Sequence, residues 1–149
     1  GWRVDYTEHL QLNLEALDLP ADAVGWLLDL WHVIQVLDDV ADGDPVARKD
    51  LDRAIFSSLA GMPSNSFYQQ HQAWLLPIIA QSVLKWMASD VAERAGRADE
   101  RSYMWRAGFY DVVMMVTCLV HGPSSEKCFE ALAMYGETAQ DYLKEFDNA

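Results

Sequence analysis

Residues 22–42 read DAVGWLLDLWHVIQVLDDVAD and decide the fold class of the chain. Apolar residues recur three and four positions apart along this stretch, and that period predicts an amphipathic helix with a broad apolar face. The members of the apolar face are Trp26, Leu27, Leu30, Val33, Ile34, Leu37, Val40 and Ala41. The opposite side carries a polar stripe, whose members are His32, Gln35, Asp39 and Asp42, with Asp38 at its edge.

The rest of the chain repeats this helical pattern, and it almost lacks strand signals such as sustained alternation or an Asn-Gly turn. Glycines are expected to follow helix ends, and Pro77 is expected to stay out of a helix interior. The predicted helices cover 6–17, 22–42, 45–60, 75–96, 99–121 and 123–146, with one turn of helix over 66–74 and a loop over 62–66. We therefore predict an all-α bundle of about five to six helices with short connections.

Length and composition indicate one globular domain. The 149 residues are 51% hydrophobic, so we expect a single helical domain over residues 1–149. No apolar stretch reaches the ~20 residues of a membrane span, and the first ten residues do not resemble a signal peptide. The two cysteines, Cys118 and Cys128, do not make a disulfide framework, so a reducing cytoplasm is the expected compartment.

The charge is strongly negative and unevenly distributed. Eleven Lys and Arg residues stand against 23 Asp and Glu residues, for a formal net charge of −12. Such a chain is not expected to bind nucleic-acid phosphates, because that affinity comes largely from Lys and Arg. Residues 1–47 hold ten acids and one base, Arg3. This acidic surface attracts a basic protein partner in one interpretation, and in the other it is only a solvated, solubilising face.

Asp38, Asp39 and Asp42 form a D-D-x-x-D pattern near the end of the 22–42 helix. Carboxylates so close together repel one another and meet the negative end of the helix dipole, and a bound cation would relieve both penalties. The pattern resembles the first aspartate-rich motif of class I isoprenoid synthases. This resemblance implies that the three aspartates bind Mg²⁺ that holds a diphosphate. It also implies a second acidic helix, for which Asp141 and Glu145 are the nearest candidates.

Two further resemblances concern other parts of the chain. Asp90 and Glu93 form a D-x-x-E pattern similar to one acidic helix of the all-α nucleoside triphosphate pyrophosphatases, but a clean second match does not follow. The chain as a whole resembles the small, Trp-rich helical proteins of tailed-phage genomes, many of unknown function. That likeness implies no activity.

A lone acid and a lone base lie in apolar surroundings. Residues 107–120 are apolar almost all round the helix, and Asp111 is their only charge. Lys85 is likewise the only charge between Leu75 and Ser89. An Asp111–Lys85 pair would satisfy both groups, and Arg106 or a histidine are other partners for Asp111. The pair either fixes helix register or marks a catalytic pocket with Asp111 as acid or base.

Two classes of function follow from these observations. The sequence favours a non-catalytic interaction protein whose acidic surface binds a basic partner, as an inhibitor or a nucleic-acid mimic, or which self-associates through an apolar patch. The alternative is a Mg²⁺-dependent enzyme that acts on a diphosphate through Asp38, Asp39 and Asp42. Mg²⁺ is the one cofactor that the sequence suggests, and neither nucleic acid nor a membrane is an expected partner.

Overall fold

The computed structural model describes residues 2–147, and the side chains of residues 7–146. Residues 2–147 contain helices and no strand, which confirms the predicted all-α class. The helices are α1 (Trp2–Ala16), α2 (Ala21–Asp42), α3 (Arg48–Phe56), α4 (Met62–Ser64), α5 (Ser66–Arg94), α6 (Glu100–Trp105), α7 (Gly108–His121), α8 (Glu126–Ala133) and α9 (Ala139–Asp147). A π-helical turn, Ser57–Gly61, connects α3 to α4. No helix in the described range has both the length and the apolar character needed to cross a bilayer.

The chain forms two compact units, the first within residues 1–72 and the second within residues 73–149. Helix α5 begins in the first unit and continues into the second. The single domain expected from the chain length stays a prediction.

The core of the first unit is built around α2. Trp26 and Leu27 are fully buried, and the ring of Trp26 stacks on Tyr68 with centroids 5.5 Å apart. The start of α2 is held by Asp22, whose main-chain oxygen accepts a hydrogen bond from Asn65 Nδ2 at 3.0 Å. Asp22 Oδ2 accepts a second hydrogen bond, from Ser66 Oγ at 2.7 Å. These contacts fix both the position of α2 and its rotation about its own axis.

The apolar face predicted for α2 is only partly buried. Trp26, Leu27 and Leu30 are buried, whereas Leu37 and Val40 are each 56% exposed. The last turns of the predicted apolar face therefore lie at the surface. A helix face is buried only as far as neighbouring elements reach, and that reach does not follow from the period of the sequence.

The core of the second unit is formed by α7, as its nearly continuous apolar sequence predicts. Its buried residues are Gly108, Phe109, Tyr110, Val112, Val113, Val116 and Thr117. Gly108 allows α7 to approach α5 closely, because a Cβ atom at this position would lie 2.8 Å from Ser82 Cβ. Ser82 Oγ also donates a hydrogen bond of 3.0 Å to Gly108 O. The two helices therefore meet at a contact that only glycine permits without a shift.

Two of the predicted interruptions do not occur. Residues 62–66 were expected to form a loop, but α4 covers Met62–Ser64 and α5 begins at Ser66. Pro77 lies inside α5, against the expectation that a helix begins near Leu75. Pro77 removes the N–H that would bond to the carbonyl of Ala73, and both residues are exposed, so water can solvate that carbonyl. One missing hydrogen bond at the surface does not end this helix.

Two of the predicted helices are each divided in the structure. The helix expected over 99–121 is broken at Arg106 and Ala107, and Ala107 has φ −89° and ψ 17°. The helix expected over 123–146 is broken between α8 and α9. Thr138 lies at the second break, and its Oγ1 accepts a hydrogen bond of 3.1 Å from Asp141 N. This Thr-x-x-Asp spacing is a helix-start signal that the sequence contains.

Several predicted helix ends are confirmed. Gly43 has φ 75° and ends α2, and Gly122 has φ 92° and ends α7. Asp99 begins α6 as predicted, because its side chain accepts hydrogen bonds from Arg101 N and Ser102 N. The helix predicted from 123 begins at Glu126 instead, where Ser125 Oγ accepts a hydrogen bond from Lys127 N.

We predict that Gly108→Ala lowers the free energy of unfolding by about 2 kcal/mol, because the added Cβ overpacks the contact with Ser82. Gly25→Ala is the matched control, since a Cβ there meets nothing within 4 Å. That change should stabilise α2 by about 0.5 kcal/mol through helix propensity. Urea denaturation followed by circular dichroism measures both values, and a Gly108→Ala variant as stable as the wild type would contradict the close approach.

Candidate functional site

The first unit contains a cavity of about 520 Å³ that is partly open to solvent and is bordered by α1, α2, α3 and the segment 45–47. Its volume lies within the range of small-ligand pockets, which is about 300–1,000 Å³. The helical residues of its wall recur at helical spacing, so one side of each helix forms the lining. These residues are Thr7, Glu8 and Gln11 of α1, Leu28, Trp31, His32, Gln35, Val36 and Asp39 of α2, and Asp50 and Arg53 of α3. We call this space the α1–α3 cavity.

The structure divides the predicted polar stripe. His32, Gln35 and Asp39 line the α1–α3 cavity. Asp42 is exposed near the end of α2, and Asp38 is half-buried and does not belong to the cavity wall. Helical geometry explains the division, because residues 32, 35 and 39 follow one line along the helix whereas Asp38 points about 100° away from Asp39.

The cavity wall carries an excess of negative charge. Glu8, Asp39 and Asp50 contribute three carboxylates, and Arg53 contributes one guanidinium. Arg53 Nη2 lies 3.5 Å from Asp29 Oδ1, so a carboxylate outside the wall shares this base. A wall with more carboxylates than bases favours a cationic ligand.

His32 connects two walls of the α1–α3 cavity. Its Nε2 lies 3.1 Å from the main-chain oxygen of Asp50, and a carbonyl oxygen only accepts, so Nε2 carries the proton. This hydrogen bond joins α2 to α3 across 18 residues of sequence. It therefore holds the imidazole in the wall and positions Asp50 beside it.

No group of three or more His, Cys, Asp or Glu side chains that could hold a metal ion is found among the residues that the structure describes. Asp39 lines the α1–α3 cavity, whereas Asp38 and Asp42 lie outside its wall. Asp141 is exposed in α9, where the resemblance places a second acidic helix. Mg²⁺ binding by the D-D-x-x-D residues stays a prediction.

The predicted pair between Lys85 and Asp111 is confirmed. Lys85 Nζ lies 2.7 Å from Asp111 Oδ2 and joins α5 to α7 within the second unit. The side chains are 29% and 35% exposed, so the pair lies at the edge of the core and not in its centre. Its position near the Ser82–Gly108 contact suits an ion pair that fixes the register of two helices. A catalytic role for Asp111 or Lys85 stays a prediction.

Sequence reasoning missed a buried polar cluster in the second unit. Glu93 Oε2 accepts hydrogen bonds from Tyr142 Oη at 2.8 Å and from Ser89 Oγ at 3.1 Å. Arg106 Nη1 lies 3.6 Å from the same oxygen, and its guanidinium lies over the ring of Tyr142. Tyr142 and Ser102, both fully buried, are joined by a hydrogen bond of 2.7 Å. These contacts connect α5, α6 and α9 and complete the hydrogen bonding of a carboxylate.

The tyrosines around this cluster resist ionisation. Burial is the main cause that raises the pKa of Tyr142 to about 12, and its hydrogen bond to Glu93 adds to the effect. Burial likewise raises the pKa of Tyr135, which stacks on Tyr103 with centroids 5.1 Å apart. These tyrosines therefore keep their protons at neutral pH, and Tyr142 serves as a fixed hydrogen-bond donor to Glu93.

Comparison of the chain with models of known protein families, with curated proteins and with solved structures finds no match.

We predict that Tyr142→Phe lowers the free energy of unfolding at pH 7 by about 1–2 kcal/mol, because Glu93 and Ser102 each lose a hydrogen-bond partner. The raised pKa of Tyr142 stabilises the fold fully below pH 10, the ordinary tyrosine value, and this contribution disappears as the pH rises to about 12. The variant should therefore lose less stability than the wild type between pH 10 and pH 12.

Denaturation in urea at several pH values measures this difference. Tyr68→Phe is the control, since it removes a tyrosine hydroxyl from the first unit, outside the cluster. Equal alkaline losses in Tyr142→Phe and wild type would show that the cluster does not hold the proton of Tyr142.

Proposed function

We propose that this protein is a non-catalytic interaction module whose α1–α3 cavity accepts a basic side chain of a partner protein. The observation that supports this proposal is the composition of the described part of the cavity wall, in which the acids Glu8, Asp39 and Asp50 outnumber the base Arg53. A buried or half-buried cation needs such compensation, and a cavity that supplies three carboxylates selects Arg or Lys over neutral side chains.

The apolar part of the wall suits the same ligand. Leu28 and Val36 can pack against the aliphatic stem of an Arg or Lys, and Trp31 adds an aromatic side chain to the wall. A guanidinium near an indole gains a further attraction from the ring electrons. The cavity therefore combines apolar contact for the stem with charge for the head group.

The distribution of charge adds long-range attraction. Ten acids and one base lie within residues 1–47, which supply α1 and α2, and the whole chain has a net charge of −12. A basic partner would be attracted from about one Debye length, which is ~8 Å at physiological salt. This attraction increases the rate of association more than the final affinity, so the cavity must supply the specificity.

We predict that a short arginine-rich peptide binds the full chain and that Asp50→Asn weakens its binding about fivefold. Asp52→Asn is the matched control, because it makes the same charge change on the same helix at an exposed residue outside the cavity wall. Isothermal titration at about 50 and 500 mM salt measures the affinities, which should fall as salt increases. Equal weakening by both variants would reduce the proposal to non-specific charge attraction, and no binding at low salt would refute it.

The same titration, carried out with MgCl₂ and then with pyrophosphate, tests the alternative enzyme. That hypothesis requires heat of Mg²⁺ binding that is lost in Asp39→Asn and retained in Asp52→Asn. Absence of heat in the wild type would remove the basis for diphosphate chemistry at Asp38, Asp39 and Asp42.

A further inference from the structure

One side of α5 in the second unit is an uninterrupted apolar surface. On a wheel of 100° per residue, every position from 73 to 91 within an arc of about 100° is apolar. We call these residues the α5 stripe, and its members are Ala73, Leu76, Ala80, Val83, Leu84, Met87 and Val91. All of them are exposed, among them Leu84 at 60%, Leu76 at 55% and Met87 at 51%.

The contacts of α5 within the second unit lie on its other side. Ser82 and Lys85 contact α7, and Ser89 bonds to Glu93 of the Tyr142 cluster. On the wheel these residues are centred roughly 180° from the α5 stripe. The stripe is therefore not the surface by which α5 joins its own unit.

Six of the seven members of the α5 stripe are placed symmetrically about the midpoint between Val83 and Leu84, and the seventh, Ala73, has Arg94 as its counterpart. Leu76 and Val91 are equally far from this midpoint, and so are Ala80 and Met87. An isologous interface, in which the same surface of two copies meets about a twofold axis, requires this kind of self-complementarity. In an antiparallel pair of α5 helices, Leu76 of one copy would face Val91 of the other.

The charges on α5 are compatible with this pairing despite the net charge of the chain. Asp90 and Arg94 are the charged residues beside the α5 stripe, since Lys85 and Glu93 lie on the side of α5 that joins its own unit. In the antiparallel register, Asp90 and Arg94 of one copy lie level with the neutral residues Pro77 and Ala73 of the other, so no like charges oppose each other. Repulsion would therefore come only from distant acids, and salt screens it.

The area of the α5 stripe lies at the low end of known protein interfaces, which suits a weak association. The α5 stripe is about 27 Å long, since each residue of a helix advances 1.5 Å. Covering its exposed side chains in two copies would bury about 1,000 Å² in total, the lower limit for a stable protein interface. From area, symmetry and charge together, we propose that two copies of this chain form an antiparallel homodimer through the α5 stripe.

Sedimentation equilibrium of the full chain, from about 1 to 100 µM, tests the proposal. We expect a species of twice the 16.9 kDa chain mass at the high end. Leu84→Glu should weaken dimerisation about 100-fold, because it places two carboxylates beside the twofold axis. Leu59→Glu is the matched control, an equal change at a residue 77% exposed in the first unit. A monomeric wild type, or dissociation by Leu59→Glu, overturns the proposal.

Cysteine cross-linking tests the antiparallel register in a Cys118→Ala, Cys128→Ala background. Leu84→Cys should form a disulfide with its own copy under mild oxidation, because both residues lie next to the axis. Val91→Cys alone should not, since its two copies would lie about 22 Å apart along the helices. Mixing Leu76→Cys with Val91→Cys should restore cross-linking. Self-cross-linking of Val91→Cys would show a parallel pair and overturn the proposed arrangement.

Discussion

The rotation of α2 about its own axis is the constraint on which the candidate site depends. Burial of Trp26 and Leu27 determines which side of the helix turns inward, and the hydrogen bonds of Asp22 to Asn65 and Ser66 hold that orientation. Once the rotation is set, the helical period places His32, Gln35 and Asp39 in one wall of the α1–α3 cavity. The site is thus a consequence of core packing about one to four turns earlier in the same helix.

The second unit uses polar contacts differently. The Ser82–Gly108 contact and the Lys85–Asp111 pair fix the alignment of α5 with α7, and the Glu93–Tyr142 bond attaches α9. Pairing of this kind specifies a register without a large net gain in stability, because charged and polar groups lose hydration when they are brought together. Because these contacts occupy one side of α5, the opposite side is exposed to solvent or available to a partner.

The two surfaces proposed for interaction differ in their physical character. The α1–α3 cavity is concave and acidic, so its affinity should depend on salt and on a cationic ligand. The α5 stripe is a convex, uncharged surface, so association there is driven by removal of apolar area from water. The two properties can therefore be measured separately, and a dimer would present two copies of the cavity.

The sequence by itself determined the all-α class, the alignment of His32, Gln35 and Asp39 along α2, the helix ends at Gly43 and Gly122, and the helix start at Asp99. These features are local, since a helical period or a cap depends on residues within a few positions of one another. The Lys85–Asp111 pair could also be predicted from the sequence, because a single charge in an apolar helix is unfavourable unless an opposite charge lies beside it. Only the tertiary structure decided that Asp39 lines a cavity while Asp38 and Asp42 do not, that Pro77 is tolerated within α5, and that α6 and α7 are separate helices. Those outcomes depend on which distant side chains meet, and no local pattern encodes the distance between them.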